Sequence, residues 1–126
     1  MRLEGKVAII TGAAKGLGGE MAQLFAKEGA KVIAADVTEL SYEAQNVEYF
    51  PLNVTDTAAC EALFNHAKEK YGRIDVLVNN AGITRDALTR KMTDDQWDAV
   101  IAVNLKGVFN LTRLVGPYMQ QQGGGS

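Results

Sequence analysis

The stretch Lys6–Gly18, with the sequence KVAIITGAAKGLG, decides the fold of this chain. Its first half, Lys6–Thr11, is a short run rich in branched apolar residues, which is typical of a buried strand in a parallel sheet. Three glycines follow within seven residues, and apolar residues then recur at the spacing of one helix face, at Leu17, Met21, Leu24 and Phe25. The stretch therefore predicts a strand, a tight turn and a helix, with Gly29 placed to end that helix in a left-handed cap.

The same alternation of strand and helix continues along the chain. Apolar runs at Lys31–Asp36, Val47–Val54 and Ile74–Val78 predict three further strands. Strands that alternate with helices predict an α/β fold with a parallel sheet, and right-handed crossovers place helices on both of its faces. The predicted architecture is a Rossmann-like three-layer sandwich, in which four strands take the order 3-2-1-4. The fourth strand is then a sheet edge, which invites pairing with another chain.

Two further helices are predicted after the third and fourth strands. Thr55 is the predicted cap of the first of them, and Gly72 is its predicted end. The second begins at a capping box formed by Thr93 and Gln96 and is expected to kink or end two residues before Pro117. The residues predicted to form the two apolar stripes are Cys60, Leu63, Phe64 and Ala67, and Trp97, Val100, Ile101, Leu105, Val108, Thr112 and Val115.

Length and composition restrict the class of protein. The chain has 126 residues, of which 47% are hydrophobic and 22% charged, with a net charge of −2. The length fits one domain, which the pattern of strands and helices places at residues 1–119, and the composition of residues 120–126 predicts a flexible glycine-rich tail. Interspersed charges provide no basic face for nucleic acid or membrane lipid. No apolar run approaches membrane-spanning length, no metal site is predicted, and the default compartment is the cytoplasm.

The glycine-rich turn predicts a phosphate-binding site. Glycines at 12, 16 and 18 allow a sharp turn and a close approach of the backbone to a pyrophosphate. The start of the following helix offers free amide groups and the positive end of the helix dipole. A tight strand–helix turn without a ligand is the alternative, and three glycines in one turn make it the weaker one.

Asp36 is the residue that bears on the choice of cofactor. It ends the second strand, eighteen residues after Gly18, where an acid accepts hydrogen bonds from the adenosine ribose. A carboxylate there would repel a 2′-phosphate, so the sequence favours NAD over NADP. Lys15 argues the other way, because a cation in this turn can meet a 2′-phosphate. A solvated side chain is the alternative for Lys15, and NADP stays possible.

Three motifs together resemble those of the short-chain dehydrogenases and reductases. The turn Thr11–Gly18 resembles that family's T-G-x-x-x-G-x-G, and Asn79–Gly82 is similar to its N-N-A-G after the fourth strand. Asn104 matches an asparagine that the family uses near its active site. The segments 81–86 and 104–110 resemble the 3-oxoacyl-(acyl-carrier-protein) reductase branch, which implies reduction of a ketone, a 3-oxoacyl thioester, to an alcohol by a nicotinamide dinucleotide.

The resemblance also implies roles for individual residues. It places the cofactor against Gly12, Lys15, Gly16, Leu17, Gly18, Asp36, Asn53, Val54, Asn80, Ala81 and Gly82. Asn104 is implied as a supporting active-site residue that bends its helix and holds water, with a simple backbone contact as the alternative. Asn53 stands where family members often carry an acid. Its amide can still bond an adenine amino group, and an Asx turn before Thr55 is the alternative.

The family's hydride transfer also needs a serine and the motif Y-x-x-x-K. None of the four tyrosines is followed four residues later by a lysine, and Ser126 stands where the fifth strand would begin. The chain is therefore expected to be inactive alone, either as a cofactor-binding half or as a self-associating scaffold. A homodimer or larger oligomer is expected through the strand at 74–78 and the helix at 94–115.

Overall fold

Four parallel strands form a single sheet in the computed structural model, which describes Met1–Ser126. These are β1 (Val7–Thr11), β2 (Lys31–Asp36), β3 (Val47–Pro51) and β4 (Val76–Val78), in the order β3-β2-β1-β4. The predicted strand order is confirmed. In the register of the sheet, Ile10 of β1 lies between Ala34 and Val78, so the carboxyl ends of these strands meet at one edge.

Helices cover both faces of the sheet. The chain contains α1 (Gly16–Lys27), α2 (Thr57–Tyr71), α3 (Asp94–Ile101) and α4 (Gly107–Gln122), with a 3-10 turn at Thr89–Lys91 and a π-helical turn at Ala102–Lys106. One apolar cluster, which includes Ile9 and Ile33, packs under α2 and α4, and a second, which includes Ile10 and Val32, packs under α1. Alternate strand residues thus enter opposite clusters, as the predicted three layers require.

The structure corrects the predicted face of α1. Leu17 and Leu24 are 79% and 56% exposed, whereas Gly18, Gly19 and Ala22 are the buried residues of the helix. Small residues let the helix backbone approach the sheet closely and leave Leu17 and Leu24 outside the contact. Met21 and Phe25 of the predicted face do pack against the apolar cluster under α1. Gly29 lies just past the helix with a φ of +97°, so the predicted left-handed end is confirmed.

The apolar stripe of α2 is confirmed, but its cap is not the predicted residue. Asp56, not Thr55, is the cap, because its carboxylate accepts a hydrogen bond from the backbone amide of Ala59 at 3.1 Å. The hydroxyl of Thr55 donates instead to Asn53. Gly72 ends the helix in the left-handed conformation, with a φ of +73°.

The predicted third helix is longer than expected, and its apolar stripe is rotated. The capping box of Thr93 and Gln96 is confirmed, but a π-helical turn then inserts an extra residue into one turn. Residues after it therefore shift around the axis. Leu105 becomes exposed, and the buried residues of α4 are Gly107, Asn110, Leu111 and Val115. Trp97, at 59% exposure, is a surface residue and not part of the core.

Pro117 does not end α4, which continues to Gln122. A proline removes one backbone hydrogen bond, and the rest of the helix is stabilised by its packing on α2. The helix thus continues past residue 119, after which the sequence predicts a flexible tail. The last residues run back along β4, where the Ser126 amide donates to the Asp75 carbonyl and the Leu77 amide to the Ser126 carbonyl, both at 2.9 Å. Residues 120–126 thus stay attached to the domain in this structure.

The continuous helical segment Asp94–Gln122 bears on the expectation about membranes. By length and composition alone it could cross a bilayer, with a mean hydropathy of 1.2 in its most apolar window. The expectation that no apolar stretch approaches that length is corrected in this respect. One such helix is weak evidence, because core helices meet the same criterion, and Leu111 and Val115 of this segment are fully buried in the core.

Candidate functional site

A groove of about 560 Å³ lies at the carboxyl ends of the strands. Ligands of open α/β sheets bind at this edge, where the strand order reverses. The groove brings together residues from the ends of all four strands. Its lining includes Gly12, Lys15, Gly16, Asp36, Asn53, Val54, Asn80, Ala81 and Gly82, all of which the sequence predicted, together with Ala35, Val37, Leu52, Ile83, Arg85 and Val103.

Thr11 holds the floor of the groove, although the sequence did not predict it as a site residue. Its hydroxyl accepts hydrogen bonds from the backbone amides of Asn80 and Ala81, at 3.0 and 2.9 Å. The side chain of Asn80 in turn donates to the carbonyl of Gly12 at 3.2 Å. These bonds fix the end of β4 against the end of β1. A polar residue at the end of a buried apolar strand was the available signal, because such a group needs a partner.

The glycines of the turn meet two different requirements. A Cβ on Gly18 would stand 2.2 Å from the carbonyl oxygen of Gly12, so this glycine allows the helix to pack on the turn. Gly12 has a φ of +66°, and a Cβ there would stand 3.0 Å from Ala81 Cα and from Asn80 Nδ2. Gly16 has a φ of +60° but open space around it. Only Gly12 and Gly16 line the groove. Gly18 and Leu17 lie outside its lining, Leu17 being 79% exposed.

The start of α1 fits an anionic group. The cap residue, Lys15, makes no side-chain hydrogen bond to the helix, and no acidic residue lies in the first turn. The amides of residues 16–18 therefore have no intrahelical partner, and the helix has no acidic side chain of its own in this turn. Free amides, the helix dipole and the Lys15 ammonium group together favour a phosphate at this end of the groove.

Asp36 fastens the turn as well as facing the groove. One carboxylate oxygen accepts a hydrogen bond from the Ala14 amide at 2.9 Å, and the other accepts from the Val37 amide at 2.7 Å. The oxygen bonded to Val37 also accepts a longer bond from the Thr38 amide at 3.4 Å, whereas the oxygen bonded to Ala14 has a second lone pair that can accept from a ribose hydroxyl. The turn-residue role and the ligand role are therefore compatible. Burial, and then the nearby Asp36 charge, raise the pKa of the Tyr42 hydroxyl, which keeps Tyr42 neutral.

Asn53 forms an Asx turn, the alternative that the sequence analysis gave for this residue. Its side-chain oxygen accepts hydrogen bonds from the amide and the hydroxyl of Thr55, at 3.0 and 2.7 Å. Its side-chain nitrogen donates to no protein group, whereas the oxygen that would accept from an adenine amino group already accepts two bonds. Val54 is 7% exposed and packs against Gly107, where a Cβ would lie 2.6 Å from the valine methyl group. This contact sets α4 close to the groove.

Asn104 lies in the π-helical turn and clasps the loop that follows β4. Its oxygen accepts from the Ile83 amide at 2.8 Å, and its nitrogen donates to the Ile83 carbonyl at 2.9 Å. The side chain is exposed, although the predicted apolar stripe implied burial. Asn104 borders a shallow depression of about 550 Å³ with Gly82, Thr84 and Arg85, next to the main groove. A role in holding water there stays a prediction.

Asn79 is used differently from its neighbour Asn80. Its side-chain nitrogen donates to the hydroxyl of Thr112 at 3.2 Å, which ties the end of β4 to α4. A larger groove, of about 680 Å³, lies at the opposite end of the sheet between Lys6, Arg73 and the tail. Two of its charged residues, Arg73 and Asp75, pair with each other at 2.6 Å. The predicted site residues line the groove at the carboxyl edge and not this larger groove.

Comparison with known proteins agrees with the geometry. Residues 6–126 match the short chain dehydrogenase family. The chain is 55% identical to the 3-oxoacyl-[acyl-carrier-protein] reductase of Thermotoga maritima, over all of this chain and 55% of that protein. It is 39% identical to the 2,3-dihydro-2,3-dihydroxybenzoate dehydrogenase of Bacillus subtilis, over 98% of this chain and 51% of that protein.

A solved structure is similar to nearly the whole chain. The 3-ketoacyl-(acyl-carrier-protein) reductase of Brucella melitensis, complexed with NADH, superimposes with a TM-score of 0.90 at 34% identity. The match covers 96% of this chain and 53% of that one. This chain therefore spans about half the length of the relatives it matches. With its parallel sheet, its glycine-rich turn and its groove, it belongs to the short-chain dehydrogenase family.

Proposed function

We propose that this chain is the dinucleotide-binding half of a reductase that converts the ketone of a 3-oxoacyl thioester to an alcohol. The observation that carries the proposal is the groove at the carboxyl edge, where the uncapped start of α1 lies beside Asp36. These groups complement the pyrophosphate and the ribose of a nicotinamide dinucleotide. The names of the similar Thermotoga and Brucella proteins, and the NADH bound to the latter, support this reaction and cofactor.

NAD is the proposed cofactor in preference to NADP. Asp36 is the acidic residue in the groove lining, and its charge would face a 2′-phosphate on the adenosine ribose. The cations in that lining are Lys15 and Arg85, neither of which bonds Asp36. A charge-assisted hydrogen bond from a ribose hydroxyl contributes about 1.5–3 kcal/mol, which is at least about tenfold in affinity.

The 126-residue chain by itself is proposed to bind cofactor without turnover, in the cytoplasm. It contains no Y-x-x-x-K, and the groove presents no tyrosine or serine that could donate a proton to a ketone. A steady-state assay with NADH or NADPH and a 3-oxoacyl thioester should give no reaction above background. Turnover comparable to that of a full-length relative would contradict this.

A fluorescence titration tests the binding proposal. The purified chain should bind NADH at least about tenfold more tightly than NADPH. In the variant Asp36→Asn the amide oxygen can still accept from Ala14, but the charge is removed, so the preference should shrink. Glu39→Gln is the matched control, because Glu39 is an exposed acid on the same loop that lies outside the groove lining. Absence of saturable binding in a folded chain would refute the proposal.

A self-associating scaffold is the second candidate function, and an exposed apolar surface favours it. Trp97, Leu105 and Phe109 are 59%, 63% and 55% exposed along α3, the π-helical turn and α4. Helix α3 has no buried residue at all. Apolar side chains in this number on one helical segment are typical of an interface. Association through this segment is compatible with cofactor binding, since it lies outside most of the groove lining.

A further inference from the structure

The connection between β2 and β3 differs from the other two crossovers of the sheet. Neighbouring parallel strands are usually joined by a dozen or more residues that contain a helix. Here the connection is the ten-residue segment 37–46, which contains no helix.

Two residues of this short connection bond directly to the glycine-rich turn. The Tyr42 hydroxyl donates to the carbonyl of Ala13 at 2.8 Å. The hydroxyl and the amide of Ser41 both donate to the carbonyl of Ala14, each at 2.9 Å. Asp36, where the connection begins, accepts from the Ala14 amide. Three residues of one segment, Asp36, Ser41 and Tyr42, thus form four hydrogen bonds to the backbone of Ala13 and Ala14.

The Tyr42 ring is also packed against the helix that follows the turn. A Cβ on Gly19 would stand 3.1 Å from the Cε1 atom of Tyr42, so the ring lies directly over this buried glycine. The ring contacts the apolar cluster under α1. Tyr42 therefore touches both the turn, through its hydroxyl, and the first turn of the helix, through its ring.

We propose that Ser41 and Tyr42 are positioning residues that hold the dinucleotide-binding turn in its binding conformation. The inference rests on the proposed function, because the ligand of the turn is the pyrophosphate of the dinucleotide. A ligand that must order a loop loses affinity by the cost of that ordering. With the Ala13 and Ala14 carbonyls bonded by Tyr42 and Ser41, the turn that leads to the start of α1 is held in place before a ligand arrives.

Variants that remove single atoms test this proposal. Tyr42→Phe deletes the hydroxyl and keeps the ring over Gly19, and Ser41→Ala deletes one of two donors to Ala14. Each should weaken NADH binding about two- to tenfold, the usual value of one hydrogen bond. The affinity for ADP-ribose, which has the pyrophosphate, should fall by the same factor. The affinity for adenosine, which lacks the pyrophosphate, should equal that of the unaltered chain.

Tyr118→Phe is the matched control. Its hydroxyl also donates to a backbone carbonyl, that of Gly72 at 3.0 Å, but at the opposite end of the sheet. A merely structural role would lower the melting temperature in both tyrosine variants and leave the affinity of each for NADH unchanged. Equal NADH affinity in Tyr42→Phe, Ser41→Ala and the unaltered chain would overturn the inference while the proposed function stands.

Amide hydrogen exchange without any ligand separates the two proposals. Residues 13–19 should exchange faster in Tyr42→Phe, while β1 and β2 keep their protection. If the unaltered chain binds no dinucleotide, the proposed function fails, and the exchange rates still decide whether Tyr42 orders the turn. Unchanged exchange across residues 13–19 in Tyr42→Phe and in Ser41→Ala would show that these two side chains do not order the turn.

Discussion

At the scale of single residues, the glycines of the turn are separable by what surrounds them. Gly18→Ala would place a Cβ 2.2 Å from the Gly12 carbonyl oxygen, a backbone atom that can move only with the whole turn. At Gly16 no atom lies within 4 Å of an added Cβ. Only the φ of +60°, a conformation that alanine disfavours, opposes Gly16→Ala. We therefore expect Gly16→Ala to lower the free energy of unfolding by about 1–2 kcal/mol, and Gly18→Ala to lower it by more.

Urea denaturation followed by circular dichroism measures this order. NADH affinity should also fall further in Gly18→Ala, because the displaced turn carries the amides at the start of α1. A Gly18→Ala variant as stable as Gly16→Ala would show that the turn yields easily, and the close packing of helix on turn would then not explain this glycine.

The polar residues of the groove show which site residues can be predicted from the sequence. Asp36 and Asn80 were predicted to face a ligand, and they do line the groove, but each also holds the turn or the strand ends together. Thr11, Ser41 and Tyr42 were not predicted. Their bonds join residues 27 to 70 positions apart. A single sequence carries no signal for such pairs beyond the general need of buried polar groups for partners.

At the scale of elements, the start of α2 gives a direct test of a corrected prediction. Asp56 accepts from the Ala59 amide, whereas the Thr55 hydroxyl bonds only to the Asn53 side chain. Asp56→Ala should lower the free energy of unfolding by about 1 kcal/mol, the usual loss of a helix cap. Thr55→Ala should have a smaller effect. Thermal unfolding of both variants decides which residue caps the helix, and a larger loss for Thr55→Ala would contradict the structure.

The same scale explains which elements the sequence could predict. The stripe of α2 follows from a pattern of period 3.6, the capping box of α3 from the spacing of Thr93 and Gln96, and the order of strands from the alternation of strands and helices. All three predictions are confirmed. The π-helical turn at Ala102–Lys106 has no such pattern, because it arises where Asn104 clasps Ile83 across the loop. One extra residue there rotates everything after it, and the predicted stripe through Leu105 was wrong for that reason.

Glu48 joins the edge strand β3 to α2 and makes stability depend on acidity. Its carboxylate lies 2.5 Å from His66 Nε2 and also accepts from Lys70. Partial burial opposes its charge, but the hydrogen bonds from Lys70 and His66 outweigh this and lower the pKa of Glu48 below its ordinary value of 4.5. The stabilisation is thus fully present above about pH 4.5 and is lost as the pH falls through the lowered pKa.

Melting temperatures between pH 7 and pH 3 test this sign. The chain should lose stability on acidification, and Glu48→Gln should lose less over the same range because it has no carboxylate to protonate. Glu61→Gln is the control, since Glu61 is an exposed acid on α2 without a hydrogen bond or ion pair. An acid slope that Glu48→Gln leaves unchanged would show that this cluster does not link β3 to α2 energetically.

At the scale of the whole molecule, two exposed features could contact a second copy: an apolar helical surface and an open sheet edge. The side covered by α2 and α4 continues into the surface of Trp97, Leu105 and Phe109, whereas β4 forms an open sheet edge that only Ser126 contacts. Both features favour association of two copies, and the helical surface exposes three large apolar side chains. Self-association through it should therefore depend on Leu105, which lies one helical turn from Phe109.

Leu105→Glu should convert a dimer into a monomer. Burial of one leucine side chain contributes about 1.5–3 kcal/mol, and a twofold interface contains it twice, so the dimer should weaken at least about a hundredfold. Leu24→Glu is the control, because Leu24 is similarly exposed, at 56%, but lies on α1 across the sheet. Sedimentation velocity at micromolar concentration should give a dimer for the unaltered chain and for Leu24→Glu. A monomer in every case would leave this surface without a partner copy, whereas equal loss in both variants would place the contact elsewhere.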